Sequence, residues 1–179
     1  MSEVTWGCIF IGYADVIEGE IMKKNEKTNV MRLLDKYKVS YQSHFYTDTG
    51  AVSGLEVAKV LNEDPSQVFK TLVTVGKSGQ HYVFVVPVGR ELDLKKAAEA
   101  VGEKKIEMIH AKELLPLTGY IHGGCSPVGM KKRFPTIIDA SSSSKETIMV
   151  SGGKIGCQVE LALQELKKAI PFELADLCS

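Results

Sequence analysis

VFKTLVTV (residues 68–75) and HYVFVVPV (residues 81–88) decide the fold of this 179-residue chain. Both segments are rich in β-branched and aromatic residues, and GKSGQ (residues 76–80) between them contains two glycines, so the pattern predicts a β-hairpin. The second segment is apolar on both faces. We therefore expect it to be a central strand, covered on each side by other elements.

Helices are expected mainly before and just after this hairpin. Three residues of the type that caps a helix N-terminus precede apolar residues at helical spacing: Thr28, Ser53 and Asp93. Ser53 is followed by Glu56 at capping-box spacing, and Gly102 marks the end of the helix that starts after Asp93. A short helix around AKELL (residues 111–115) is expected to stop at Pro116.

Short strands dominate the C-terminal part. They are predicted within PTIID, TIMVSG and CQVELA (residues 135–139, 147–152 and 157–162), and a last helix, LQELKKAI, runs to Pro171. An earlier strand is predicted in SYQSHFY (residues 40–46) from its alternation. The order of elements indicates an α+β domain over residues 22–179, with a mixed, barrel-like sheet surrounded by helices.

Residues 1–21 precede a second methionine, Met22, and a polar, helix-forming segment. We expect them to be an N-terminal extension outside the domain. The alternative is an ordinary first strand that packs on the domain. They lack the basic start of a signal peptide, since the first lysine is Lys23.

Composition excludes several classes of function. Twenty-two basic residues balance twenty-two acidic ones, so the chain is not expected to bind duplex DNA through bulk charge, although a local basic pocket could hold a nucleic-acid end. No apolar run approaches the ~20 residues of a membrane span. The four cysteines lack metal-site spacing and are expected to be free thiols in the cytoplasm: Cys8, Cys125, Cys157 and Cys178.

Lys70 stands out within the first strand of the hairpin. It shares a strand face with Leu72 and Thr74 and lies next to an apolar partner strand, so its burial is costly unless it meets an anion or a polar group. The alternative is a side chain that reaches solvent at the strand end. The nearby GKS (residues 76–78) is not a phosphate-binding P-loop, because Thr71 stands where that motif needs glycine.

Two further segments could bind phosphate. SGGKIG (residues 151–156) lies between two strands, and its backbone amides with Lys154 could hold an anion, or it could be an ordinary hairpin loop. Lys131, Lys132 and Arg133 could attract a phosphate chain, or they could form a solvated surface.

The loop IHGGCSP (residues 121–127) allows two chemistries. Cys125 could act as a nucleophile with His122 as its base, but the sequence supplies no third residue to orient that base. Alternatively, Gly123, Gly124 and Pro127 could shape the backbone so that its N–H groups stabilise a carbonyl oxygen. The residues themselves leave both readings open.

From about Thr28 to Ile170 the chain resembles the YbaK family of aminoacyl-tRNA deacylases, which are relatives of the editing domain of bacterial prolyl-tRNA synthetases. The resemblance rests on five elements in order: HFY, VFKTL, LDLKKAAEAVGEKKIEM, TGYIHGGCSPVGMKKRFPTIID and VSGGKIGCQVEL. Residues 1–21 lie outside it.

The resemblance implies a mixed α/β fold around a barrel-like sheet and hydrolysis of the ester between a misplaced amino acid and a tRNA 3′ end, chiefly in Cys-tRNA(Pro) and also in Cys-tRNA(Cys). It implies no protein nucleophile, no metal and no cofactor. The resemblance further implies that the substrate thiol attacks its own ester, and prolyl-tRNA synthetase is an expected partner. The implied catalytic residues are Lys70, Gly123, Gly124, Ser126 and Pro127. The implied substrate-binding residues are Tyr46, Cys125, Ser151, Gly152, Gly153, Lys154 and Gln158.

One position departs from the family pattern. Some members carry aspartate where this chain has Gln158, and Glu160 lies two residues further on the same strand face.

Three other functions remain as alternatives to a Cys-tRNA(Pro) deacylase. They are an Ala-tRNA(Pro) deacylase of the same fold, a non-catalytic module that binds tRNA or a synthetase, and a Cys125–His122 hydrolase.

Overall fold

A computed structural model describes residues 26–179, so the expectation for residues 1–21 lies outside the described residues. The described helices are α1 (Asn29–Lys36), α2 (Gly54–Val60), α3 (Leu94–Val101), α4 (Ala111–Thr118) and α5 (Leu163–Ala169). The described strands are β1 (Gln42–Phe45), β2 (Phe69–Gly76), β3 (His81–Pro87), β4 (Ile106–Met108), β5 (Thr136–Asp139), β6 (Ile148–Ser151), β7 (Cys157–Leu161) and β8 (Glu173–Ala175). A 3-10 turn covers Ala140–Ser144.

The predicted hairpin is the centre of a five-stranded sheet. β2 and β3 pair antiparallel, and the strand order is β4-β2-β3-β5-β8. Phe84 faces one core cluster, together with Ala97 and Ala98 of α3. Val83 and Val85 face a second core cluster, which includes residues of α1. β3 is therefore covered on both faces, as its apolar run predicted.

A smaller sheet, in the order β1-β7-β6, packs beside the larger one. The two sheets are joined where Val68 and Met149 form an isolated parallel bridge, and the Met149 N–H donates to the Gln67 carbonyl at 2.8 Å. The sheets do not close into a barrel. The α+β class with a mixed sheet is confirmed, and the arrangement places the start of β2 beside the ends of β6 and β7.

The helix caps act as their residue types predicted. Thr28 accepts the Met31 N–H at 3.2 Å. Ser53 and Glu56 form a reciprocal capping box at the start of α2, and Gly102 ends α3 in the left-handed conformation. The prediction that α4 stops at Pro116 was wrong, because the helix continues to Thr118 with the proline inside it and then ends at a left-handed glycine.

Strand β8 was not predicted, and it completes the larger sheet by pairing parallel to β5. Asp139, the last residue of β5, accepts the Leu177 N–H at 2.9 Å and caps the following 3-10 turn. Burial acts to raise the pKa of the Asp139 carboxyl, but hydrogen bonds from Ser141 and from the Leu177 amide together outweigh it and lower that pKa. The carboxylate thus fixes the segment after β8 against β5.

Among residues 26–179, no helix combines the length and the apolar character needed to span a membrane.

Candidate functional site

A pocket of about 360 Å³ lies at the start of β2, between the N-terminus of α2 and the glycine-containing loop after α4. Its volume falls within the range of small-ligand sites. The lining residues are 52–55 and 57 around the start of α2, 68–72 at the start of β2, 122, 123 and 125 in the loop, 151 and 158 on β6 and β7, and 88, 91 and 114.

Lys70 supplies the cation of this pocket. Its Nζ lies 3.2 Å from Glu91 Oε1, and Glu91 also lines the pocket. The Lys70 side chain is 27% exposed, whereas the Glu91 side chain is 83% exposed. An ion pair with one partner so exposed is weak, because water competes for the carboxylate. An anion that enters the pocket can therefore replace Glu91 at modest cost.

Gln158 forms the polar floor of the pocket. Gln158 is only 6% exposed, and its Nε2 donates to the Tyr46 hydroxyl at 3.3 Å. Its Oε1 is buried without a hydrogen-bond partner among the described residues, as is Oγ1 of Thr71, which also lines the pocket. Buried polar atoms normally have partners. Two such atoms in one pocket fit a ligand that brings its own hydrogen-bonding groups.

The loop of Gly123 and Gly124 is shaped by close backbone contacts. Gly123 has φ +85°, a conformation that favours glycine. A side chain at Gly124 would place its Cβ 3.1 Å from the backbone of Lys154 and Ile155. The Gly124 N–H already donates to the Ile121 carbonyl at 3.0 Å, so this amide closes a turn rather than facing a ligand.

The second glycine segment, residues 151–156, is a tight connection between β6 and β7. The Gly152 N–H donates to the Cys157 carbonyl at 2.9 Å, and the Gly153 N–H donates to Ser151 Oγ at 3.2 Å. Lys154 lies with its Nζ 5.8 Å from the ring centroid of Phe45. The two amides thus stabilise the hairpin, and Ser151 is the member of this segment that reaches the pocket.

Cys125 lines the pocket, but its environment opposes nucleophilic chemistry. Burial raises the pKa of its thiol to about 12, and a hydrogen bond with Thr118 only partly offsets this effect. At neutral pH such a group holds fewer than about one thiolate in ten thousand. His122 is exposed, and no hydrogen bond joins it to Cys125 in the described part of the chain. The geometry therefore does not form a cysteine–histidine pair.

The structure brings only some of the predicted site residues together. Those that line the pocket are Lys70, Gly123, Cys125, Ser151 and Gln158. Tyr46 lies one layer behind and holds Gln158. Those outside the lining are Gly124, Ser126, Pro127, Gly152, Gly153 and Lys154. Among these, Ser126 is fully buried and accepts the Val128 N–H, and Pro127 lines a different groove.

Two polar pocket residues, Thr71 and Glu91, were not predicted from the sequence. Thr71 follows Lys70 directly, and the alternation of a strand does not show which of its polar residues lines a pocket. Glu91 lies 21 residues from Lys70 in the loop after β3, so only the register of the hairpin brings the two side chains together.

Glu160 does not compensate for the glutamine at position 158. Its carboxylate lies 2.8 Å from His44 Nε2 and accepts the Thr147 hydroxyl at 2.7 Å, and it does not line the pocket. The Thr147 hydrogen bond is the main cause that lowers its pKa, although burial opposes this. The described residues include no cluster of three or more His, Cys, Asp or Glu side chains able to hold a metal ion.

Comparison with known proteins matches this chain, beyond the pocket itself, to one domain family. A model of the aminoacyl-tRNA editing domain matches residues 50–169. The chain is 44% identical over 156 residues to a protein of Enterococcus faecalis that carries the name Cys-tRNA(Pro)/Cys-tRNA(Cys) deacylase EbsC. The match covers 87% of this chain and 95% of that protein.

Two solved structures share the fold. One, of the hypothetical protein APE2540, has a TM-score of 0.77 at 24% identity and covers 86% of this chain and 100% of its own. The other is described as a trans-editing enzyme for prolyl-tRNA synthetase. Its TM-score is 0.73 at 24% identity, with 86% of this chain and 99% of its own covered.

Proposed function

We propose, from the premise that this chain belongs to the aminoacyl-tRNA editing domain family, that it hydrolyses the ester of Cys-tRNA(Pro) and of Cys-tRNA(Cys). The pocket at the start of β2 receives the aminoacylated 3′ end. Because the substrate is charged tRNA, the proposed activity belongs to the cytosol.

The observation that carries this proposal is the set of groups in the pocket. Lys70 offers a cation whose partner Glu91 is exposed and replaceable. In the same pocket, Gln158 Oε1 is buried and unpaired among the described residues. Cys125 is a protonated thiol. Such a pocket can bind and orient a charged, polar substrate, whereas its own side chains supply no ready nucleophile.

The reaction then depends on the substrate. The cysteinyl sulfur attacks the ester carbonyl carbon, the bond to the ribose oxygen breaks, and that oxygen receives the thiol proton as a hydroxyl. The product is a strained thiolactone, which water opens to free cysteine. In this scheme the protein contributes orientation and charge stabilisation: Lys70 holds the terminal phosphate or adenosine, and the pocket fixes the aminoacyl group near attack geometry.

The test compares charged tRNAs that differ in one group. Cys-tRNA(Pro), Cys-tRNA(Cys), Ala-tRNA(Pro), Ser-tRNA(Pro) and Pro-tRNA(Pro) are incubated with the purified protein, and loss of the ester is measured. We expect the cysteinyl esters to be hydrolysed at least ~100-fold faster than the seryl ester, because serine replaces the thiol by a poorer nucleophile at similar size. Equal rates for serine and cysteine would exclude attack by the substrate thiol.

The second candidate is an Ala-tRNA(Pro) deacylase of the same fold. It would show preferred hydrolysis of the alanyl ester in the same assay. The unpaired Gln158 Oε1 favours the cysteinyl substrate, because an alanyl methyl group leaves a buried acceptor without a partner.

Prolyl-tRNA synthetase is the proposed partner, because a protein of the same fold is described as its trans-editing enzyme. Addition of the synthetase is expected to increase the preference for Cys-tRNA(Pro) over Cys-tRNA(Cys). An unchanged ratio of the two rates would contradict this partnership. A non-catalytic module would leave every ester intact.

A further inference from the structure

A groove, separate from the pocket, is formed by the chain that follows Gly123, a residue of the pocket lining. This groove encloses about 190 Å³ between α1, residues 127–134 and the end of α5. Its walls include Tyr37, Pro127, Lys132, Arg133, Phe134 and Ile170. One continuous loop therefore forms a wall of both concave sites.

The groove is basic, although the chain as a whole has no net charge. Lys132 and Arg133 are in its wall, and no aspartate or glutamate is among the described residues that line it. Both cations and the adjacent Lys131 are exposed, and none of the three is in an ion pair within residues 26–179. Positive charge is thus concentrated at one place on a neutral protein.

Additional cations and rings surround the groove. Lys36 lies 5.8 Å from the ring of Tyr37, and Lys167 lies 5.7 Å from the ring of Phe172. Phe172 lines an adjoining depression that shares Arg133 and Phe134 with the groove, and that depression carries one acid, Glu173. Basic side chains next to partly exposed rings suit a nucleic-acid strand, because the cations contact phosphates and the rings stack on bases.

We propose that this groove binds the RNA strand that leads to the ester, so that the pocket and the groove together hold one aminoacyl-tRNA. The proposal rests on the proposed function. Lys132 follows Gly123 by nine positions, so their Cα atoms are at most ~32 Å apart, a span that a short RNA segment bridges. Lys132 and Arg133 neutralise backbone phosphates, which strengthens binding of the whole tRNA without any role in breaking the ester.

The test uses the variant Lys132→Glu/Arg133→Glu and two substrates: Cys-tRNA(Pro), and cysteinyl-adenosine, which retains the ester but lacks the RNA body. For the tRNA we expect KM to rise at least ~10-fold with kcat changed less than ~2-fold. The salt dependence of log KM should become shallower by about 1.4–1.8, since each lost phosphate contact contributes about 0.7–0.9. For cysteinyl-adenosine, both constants should stay at the wild-type values.

The matched control is Lys95→Glu/Lys104→Glu, which makes the same change of charge at two exposed lysines outside the groove. It should leave KM for the tRNA within about 2-fold of the wild type, because the altered side chains lie outside the proposed RNA path. If both double variants weaken tRNA binding equally, only net charge matters and the proposal is overturned. A wild-type KM in the groove variant, or an equal loss of rate on cysteinyl-adenosine, overturns it as well.

Failure of the proposed function is distinguishable from failure of this inference. If the wild type hydrolyses neither ester, the proposed function is wrong. Uncharged tRNA(Pro) then tests the groove directly by filter binding. Weaker retention of this RNA by the groove variant, compared with the wild type and the control, supports the groove, and equal retention excludes it.

Discussion

Lys70 is the residue on which the proposed site depends most. Lys70→Ala removes the cation of the pocket but leaves an exposed Glu91 that water can solvate, so the variant should fold with an unchanged thermal midpoint. Its kcat/KM on Cys-tRNA(Pro) should fall ~100-fold, the loss expected for a charge-assisted contact of about 3 kcal/mol. Lys70→Arg should not restore it, because a planar guanidinium does not replace a compact ammonium in a small pocket. A wild-type rate for Lys70→Ala would show that the pocket is not the site.

Glu91 has the opposite expected effect. It is the partner of Lys70 in the unliganded pocket, and a substrate phosphate that binds the lysine must displace it. Glu91→Gln should therefore lower KM for Cys-tRNA(Pro) about 3-fold, since a weak exposed ion pair is worth less than about 1 kcal/mol. Glu99→Gln, at an exposed position of α3, is the control for the change in charge. A higher KM for Glu91→Gln would mean that Glu91 orients Lys70 rather than competes for it.

Cys125 is expected to be a packing residue of the pocket wall. Because burial raises the pKa of its thiol to about 12, iodoacetamide at pH 7.5 should leave Cys125 unmodified in the folded protein and modify it in guanidinium chloride, as read by peptide mass spectrometry. Cys125→Ala should keep its deacylase activity within a few-fold of the wild type. A ~10³-fold loss would restore the nucleophile hypothesis.

At the scale of elements, the two glycine loops hold each other in place. A methyl group at Gly124 would lie 3.1 Å from backbone atoms of the β6–β7 connection, which cannot move as a side chain can. Gly124→Ala should lower the free energy of unfolding by about 1–3 kcal/mol and reduce deacylation further by displacing residue 123. Gly89→Ala is the control, because its Cβ meets only Pro65, at an ordinary 3.6 Å. Equal denaturation midpoints for the two variants would contradict this loop contact.

The elements that could be predicted from sequence are those whose signals are local. The apolar run of β3 indicated coverage on both faces, and Thr28, Ser53 and Asp93 cap helices because their side chains reach amides two or three residues away. Strand β8 has only three residues, two of them exposed, and its place depends on β5. Its pairing is a tertiary effect that no local pattern contains.

The candidate site was predictable to a similar extent. The resemblance located Lys70, Gly123 and Gln158, which the structure brings into one pocket. It did not distinguish glycine amides that face a ligand from amides that close a turn, as at Gly124 and Gly152. That distinction depends on which carbonyl lies opposite each N–H, and only the packed loops determine it.

For the molecule as a whole, we expect a loss of stability in alkaline solution, because three cysteine thiols are buried. Burial raises the pKa of Cys125 to about 12 and those of Cys157 and Cys178 to about 11, from 9.0. The folded protein retains these protons above pH 9 and the unfolded chain releases them. Stability should therefore be full below about pH 9 and decline as the pH rises towards 11–12. The urea midpoint between pH 8 and pH 11 measures this decline.

The same titration has an internal check. Cys157→Ala removes one of the buried acids, so the midpoint should fall less steeply with pH than in the wild type, whatever its value at pH 8. A midpoint that stays constant to pH 11 in the wild type would show that these thiols ionise in the folded protein.

The pairing of β8 with β5 also affects how the chain is made. Translation proceeds from the N-terminus, so residues 173–175 leave the ribosome after every other strand of the larger sheet. Until then β5 has an open edge, and the Asp139 carboxylate lacks the Leu177 amide. Open strand edges pair with other chains, and neighbouring nascent chains on one messenger are close. Between the emergence of β5 and that of β8, this edge is therefore open to pairing with another chain.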